Sequence, residues 1–169
     1  MTDERVDPQL VADERTTLTE FLDYYRATIE RKATGLTDEQ VRSTPGPSDL
    51  SLLGLVRHMA EVERNWFRRK LRGDDAPPLY YDDEDRDRDF HPRPDETLAD
   101  AVTAYRAECA YARQVTAATP SLDELAVVPV GDGEIVSLRW ILVHMIEETA
   151  RHAGHADLLR ESIDGATGD

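Results

Sequence analysis

Residues 144–155 read HMIEETARHAGH, and this stretch is the most informative of the chain because it puts a carboxylate and an imidazole in the middle of a helix's apolar face. Glu148 and His152 are four residues apart, so their Cβ atoms lie on one helix face, roughly 5–6 Å from each other. At about 100° per residue, Ile141 and Leu159 point in one direction, and the two polar residues fall about 20° to either side of it. A carboxylate buried there needs a neutralising partner, which a metal ion, an arginine or the neighbouring imidazole could supply.

A second helical segment offers a third ligand. Residues 52–66 read LLGLVRHMAEVERNW and carry His58 on the edge of an apolar face. This histidine, together with Glu148 and His152, makes a set of two imidazoles and one carboxylate. Such a set suits a catalytic divalent metal that keeps open coordination positions. We therefore predict a metal site at these three residues, placed between two helices.

Three further polar side chains lie near this set. His155 is a candidate for a further metal ligand or for a partner of the ligands. Glu63 points near the apolar centre of its helix and is a candidate for an ion pair, a ligand partner or a ligand. His144 is predicted to flank the site one turn earlier. A hydrogen bond at a helix interface explains each histidine equally well, and a Glu and a His four residues apart also pair within ordinary helices.

The apolar spacing and the breaker residues predict an all-α fold. Long helices are predicted over about residues 8–34, 48–72, 96–118 and 137–162. A short capped turn is predicted at 37–42, and alternating apolar residues around Gly-Asp-Gly predict a short β-hairpin at 125–137, before the last helix. Four helices with a broad apolar face each predict a four-helix bundle. We expect one domain over residues 8–163, with flexible termini at 1–7 and 164–169.

The charge balance restricts the classes of partner. The 169 residues include 35 Asp and Glu against 20 Lys and Arg, a net charge of −15. Phosphate backbones and anionic membranes repel such a surface, so we expect neither nucleic acid nor membrane as a partner. No apolar run approaches the roughly 18–20 residues that span a bilayer, and the first residues are polar without an apolar signal core. We expect a cytoplasmic protein.

Two other features of the chain each admit two interpretations. Residues 73–94 form a long connection with four prolines and the acidic run 82–89, which is typical of a mobile acidic loop or of a lid over a site. The single cysteine, Cys109, excludes an internal disulfide. Its helical surroundings favour a small buried side chain over a reactive thiol. Thiol chemistry would then need a thiol from outside the chain.

Two segments together carry a resemblance to a known family. Residues 53–67, LGLVRHMAEVERNWF, look like the histidine motif of the second helix, and residues 139–160, RWILVHMIEETARHAGHADLLR, look like the motif of the last helix, of the DinB-like superfamily of metal-binding four-helix bundles. Many relatives have H-x-x-x-H followed by Gln; here Glu148 replaces the first histidine and His155 stands at the Gln position. The His/Glu/His version is similar to the N-terminal domain of mycothiol-dependent maleylpyruvate isomerases, and the chain most resembles an actinobacterial branch of unknown function over residues 8–163.

The resemblance implies a divalent-metal-dependent thiol S-transferase. Its metal would be held by His58, Glu148 and His152, with zinc as the first expectation and nickel, iron or manganese also suited. Metal binding lowers the pKa of a low-molecular-weight thiol, by implication mycothiol, and the thiolate attacks a halide, an epoxide or an activated alkene. The larger C-terminal domain of the isomerases has no counterpart here, so isomerase activity is not carried over. The superfamily also implies a homodimer.

Two other functions fit the same residues. A hydrolase would use the metal to activate water instead of a thiol. A non-catalytic metal-binding or stress-related bundle would need the metal only for its structure, and fold resemblance does not fix function. An open site favours an enzyme, whereas a sealed site favours a structural metal.

Overall fold

The computed structural model describes residues 5–168 and shows an all-α fold, which confirms the predicted class. Residues 1–4 and 169, which belong to the termini predicted to be flexible, lie outside the described residues. Within residues 5–168 there are five α-helices: α1 Glu14–Ala33, α2 Asp38–Arg42, α3 Leu52–Glu63, α4 Leu98–Ala118 and α5 Leu138–Asp164. A π-helical segment, Arg64–Arg72, continues α3 to the length predicted for the second long helix. The count is five instead of four because the capped turn at 38–42 is itself a helix.

Side-chain caps set where the helices begin. Asp13 accepts a hydrogen bond from the backbone N–H of Thr16 at 3.1 Å, so α1 begins at Glu14 and not near residue 8. Thr37 and Gln40 form a capping box at the start of α2. The side chains of Ser51, Thr97 and Ser137 each accept a hydrogen bond from a backbone N–H in the first turn of α3, α4 and α5.

The long helices pack in pairs, with α1 against α5 and α3 against α4. Contacts of α3 with both α1 and α5 close the bundle, and two apolar clusters fill its interior. One cluster includes Ile29, Leu53 and Met59; the other includes Leu22 and Phe67. Among the described residues, each helix is too short or too polar to cross a bilayer. The bundle places α3 beside α5, which is where the predicted ligands lie.

The strands of the β-hairpin predicted at 125–137 are not shown, and a long-range hydrogen-bond pattern gives the reason. Within residues 5–168 this segment has only two isolated antiparallel bridges, which join Leu125 to Ser137 and Val130 to Glu134. The backbone N–H groups of Val127 and Val128 donate instead to the carbonyl oxygens of Leu71 and Lys70, at 3.2 and 3.0 Å. The segment therefore satisfies the end of the π-helical segment, whose last carbonyls have no partner within the helix.

The long connection between the π-helical segment and α4 lies against α3. The Glu61 carboxylate accepts a hydrogen bond from the backbone N–H of Tyr80 at 2.7 Å. Arg57 donates to the carbonyl oxygen of Arg88 at 3.1 Å, and its guanidinium lies 4.4 Å from the centre of the Tyr80 ring. These contacts hold the connection on α3 at Tyr80 and Arg88.

Candidate metal centre

Three side chains from α3 and α5 converge at the face between these helices. The Nε2 atom of His58 lies 3.6 Å from Oε1 of Glu148, and Nε2 of His152 lies 3.3 Å from the same oxygen. One ligand atom of each residue lies within 4.8 Å of those of the other two. The structure thus brings together the three residues that the sequence singled out. Their spacing leaves one point that all three could share with a cation.

Among the described residues, no buried arginine or lysine pairs with the Glu148 carboxylate. Its nearest partners are the two imidazoles of His58 and His152. The guanidinium that approaches it, that of Arg151, lies 3.9 Å away on a side chain that is 58% exposed, so solvent screens the attraction. A half-buried carboxylate beside two nitrogen donors fits a divalent cation.

The environment of His152 keeps its imidazole neutral. Burial, and then the neighbouring His58, lower the pKa of His152 to about 4. At neutral pH the ring therefore has a lone pair, which metal binding requires. The Nδ1 atom of His155 lies 3.4 Å from Nδ1 of His152. His155 thus stands behind the ring, on the side away from Nε2, and outside the group of three.

Asp89 sets the tautomer of His58, and the sequence did not reveal this role. Its Oδ2 atom lies 2.8 Å from Nδ1 of His58, and the carboxylate is buried. Because a carboxylate only accepts, Nδ1–H donates to it, and Nε2 is the ring nitrogen that faces Glu148. Phe90 stacks on the His58 ring with 4.2 Å between centroids. The available signal was the junction of the acidic run with an aromatic residue, which does not by itself point to α3.

Glu63 lies elsewhere in the bundle and forms an ion pair. Its two oxygens accept hydrogen bonds from Nε and Nη2 of Arg26 at 2.7 and 2.6 Å, and it is fully buried. Burial alone would lower the pKa of Arg26, but the negative charge of Glu63 raises it well above its ordinary value. Of the roles open to Glu63 from the sequence, the structure therefore shows the ion pair.

The remaining candidates also have defined positions. His144 packs one turn before Glu148 and stacks on Trp140, with 5.1 Å between ring centroids. Cys109 is buried in α4. Burial, and then the charge of Glu63, raise the pKa of its thiol well above the ordinary range. A thiol that stays protonated and buried is a poor nucleophile, as the sequence indicated.

The centre is open to solvent on one side. The side chains of His58 and Glu148 are each 18% exposed, and that of His152 is 10% exposed. A structural metal site is normally closed by four protein ligands, whereas a catalytic one leaves room for water or substrate. Three convergent side chains with partial exposure match the second kind of site.

Comparisons with known proteins give a family and a fold. A family model described as mycothiol-S-transferase matches residues 17–165. A solved structure described as the conserved protein of locus from Enterococcus faecalis superposes with a TM-score of 0.63 at 15% identity, and covers 92% of this chain and 100% of its own. At that identity the likeness shows the fold alone. No protein with a curated description matches the chain.

Proposed function

Because the chain belongs to the mycothiol-S-transferase family, within the DinB-like superfamily, we propose that it is a divalent-metal-dependent thiol S-transferase. The substrates are a low-molecular-weight thiol of the mycothiol kind and a small electrophile. The observation that carries the proposal is the convergence of His58, Glu148 and His152, with ligand atoms within 4.8 Å of one another, on a partly exposed face.

The donor atoms support a metal of intermediate hardness. Two imidazole nitrogens and one carboxylate oxygen suit zinc first, and also nickel, iron or manganese. When bound, the metal supplies positive charge that lowers the pKa of a thiol, so that the thiolate forms near neutral pH. Asp89 holds His58 with Nε2 turned toward the site, and burial keeps His152 unprotonated.

The thiol comes from outside the chain. Cys109 is buried in α4, and burial raises the pKa of its thiol. An external thiolate would attack the electrophilic carbon from the open side, forming a carbon–sulfur bond. The leaving group of a halide, or the opened oxygen of an epoxide, takes the displaced electron pair. The family name supports mycothiol as this thiol.

A thiol-consumption assay with analysis of the product tests the proposal. We expect metal-loaded protein to consume mycothiol with a small halide, epoxide or activated alkene, and to yield the thioether, identified by its mass. Chelator-treated protein should lose this activity and regain it when zinc is returned. Release of a hydrolysed product without consumption of thiol would identify a hydrolase instead. Metal binding without turnover of any electrophile would identify a non-catalytic bundle.

A further inference from the structure

An aromatic cluster, formed by Trp66, Trp140 and His144, lies next to the metal centre. The ring centroids of Trp66 are 5.4 Å from those of Trp140 and 4.6 Å from those of His144. Trp140 and His144 stack with 15° between their planes. The chain has two tryptophans, and both belong to this cluster.

The cluster continues the line of the predicted ligands. One row of α5 has residues at successive spacings of four: Trp140, His144, Glu148 and His152. Each spacing of four advances about 6 Å along a helix. On the facing side, His58 contacts Glu148, and Trp66, eight residues later, contacts His144. The two rows run in opposite directions, with the ligands at one end and the aromatic rings at the other.

Packing of the core does not account for the outer ring of this cluster. Trp66 packs on the apolar interior, but Trp140 belongs to neither apolar cluster and is 46% exposed. An aromatic ring left partly in water beside a site offers a face on which a planar ligand can stack. Trp66 also lies in the π-helical segment Arg64–Arg72. Such segments are rare and recur at functional sites.

We propose that the aromatic cluster binds the planar, conjugated part of the electrophile. This inference rests on the proposed function and narrows its substrate class to activated alkenes whose double bond is conjugated with an aromatic ring. A ring stacked on an open face of the Trp140–His144 pair would extend its double bond along the row toward Glu148. By helical rise, Glu148 lies about 6 Å from His144 and about 12 Å from Trp140. Offset stacking of aromatic rings supplies the affinity.

The reaction at this site is an addition, and its atoms balance without an oxidant. The thiol loses its proton to water. The thiolate sulfur gives its electron pair to the β-carbon of the alkene. The π electrons move to the oxygen of the carbonyl group that activates the alkene. A proton from water then returns to the α-carbon. The net change is addition of S–H across the C=C bond.

A matched pair of electrophiles tests the inference. The pair is 4-phenyl-3-buten-2-one, which has an aromatic ring, and 3-penten-2-one, which has a methyl group in its place. We expect Trp140→Leu to raise KM for the phenyl compound about tenfold, the effect of a lost stacking contact. KM for the methyl compound should change less than about twofold, and Trp140→Phe should keep most of the preference. Leu158→Ala, an exposed residue on the same helix beyond His152, is the matched control.

A binding measurement separates this inference from the proposed function. The saturated ketone 4-phenylbutan-2-one cannot add a thiol, so its binding needs no catalysis. We expect it to change the tryptophan fluorescence of the wild-type protein, and calorimetry should show about tenfold weaker binding to Trp140→Leu. That result without thiol turnover would overturn the proposed function and retain the aromatic site. Equal binding by wild type and Trp140→Leu, or an equal loss in Leu158→Ala, would overturn the aromatic site.

Discussion

Glu63 and Glu148 are two carboxylates that face the interior of the same bundle, and they are neutralised in different ways. Glu63 is fully buried, and both of its oxygens accept hydrogen bonds from the Arg26 guanidinium. Glu148 is 18% exposed and faces the imidazoles of His58 and His152. The first carboxylate has its cation within the chain. The second has two imidazoles beside it and is partly exposed, so it is open to a cation from solvent, which is the arrangement of a binding site.

Two residues of α3 have separate tasks. His58, in the middle of the helix, contributes to the open centre, whereas Glu63, at its end, joins α3 to α1. The Arg26 guanidinium also donates to Asp23 at 2.9 Å and lies 5.7 Å from the centre of the Phe67 ring. The ion pair is therefore part of the packed interior. We expect its loss to affect folding, and loss of Glu148 to affect metal binding.

The largest expected effect is on stability, through the buried Arg26–Glu63 ion pair. Arg26→Ala leaves the Glu63 carboxylate buried without its partner, which should lower the free energy of unfolding by about 3–5 kcal/mol. Urea denaturation of the metal-free protein measures this change. The double variant Arg26→Met with Glu63→Leu removes both charges and should recover most of the stability. An unchanged denaturation midpoint in Arg26→Ala would show that the pair is not a structural element.

The next effect is on metal affinity, through the hydrogen bond between Asp89 and His58. Asp89→Asn removes the charged acceptor for Nδ1–H of His58, so zinc affinity should fall about 10–100-fold. Competition with a fluorescent chelator measures the affinity. Asp83→Asn is the matched control, because Asp83 belongs to the same acidic run but its side chain is 95% exposed. Equal affinities in the two variants would mean that Asp89 does not position His58.

A smaller effect on stability is expected when Glu148, instead of the Arg26–Glu63 pair, is changed in the metal-free protein. Glu148→Gln removes a charge whose neighbouring guanidinium, that of Arg151, is exposed, so the free energy of unfolding of the metal-free protein should change by less than about 1 kcal/mol. Added zinc should stabilise the wild type, by mass action, but not this variant. Thermal unfolding with and without zinc measures both. A metal-free Glu148→Gln protein as unstable as Arg26→Ala would mean that Glu148, too, is part of a structural pair.

The smallest effect is expected at the cysteine. Cys109→Ser should keep thiol-transfer activity within about twofold, because a buried thiol with a raised pKa is not the nucleophile. An alkylating reagent should label Cys109 only after denaturation. A folded, metal-loaded Cys109→Ser protein without activity would make Cys109 the nucleophile.

Local rules were enough to predict one part of this molecule. The angle between residues on a helix placed Glu148 and His152 on the inward face, and Thr37 with Gln40 indicated the start of a helix. His58 followed because a pair of ligands needs a third. The helix-face and capping predictions depend on residues within a few turns of each other, for which the backbone geometry is fixed.

Long-range contacts limited the remaining predictions. Nothing near Asp89 in the chain indicates that it reaches His58, since this contact depends on the path of the whole connection. Val127 and Val128 have the apolar character of a strand, yet their N–H groups bond to the end of the π-helical segment. That segment was predicted as ordinary helix, because π-helical segments are rare and no glycine or proline separates it from α3.

Elemental analysis of the purified protein, alongside Glu148→Gln, tests most directly whether Glu148 belongs to an open metal centre. After equilibration with zinc and removal of unbound ions, we expect about one zinc ion per wild-type chain, as for a single site with three protein ligands. The Glu148→Gln protein should be folded and contain far less. Equal zinc in both proteins, or none in the wild type, would contradict the assignment of His58, Glu148 and His152 as a metal site.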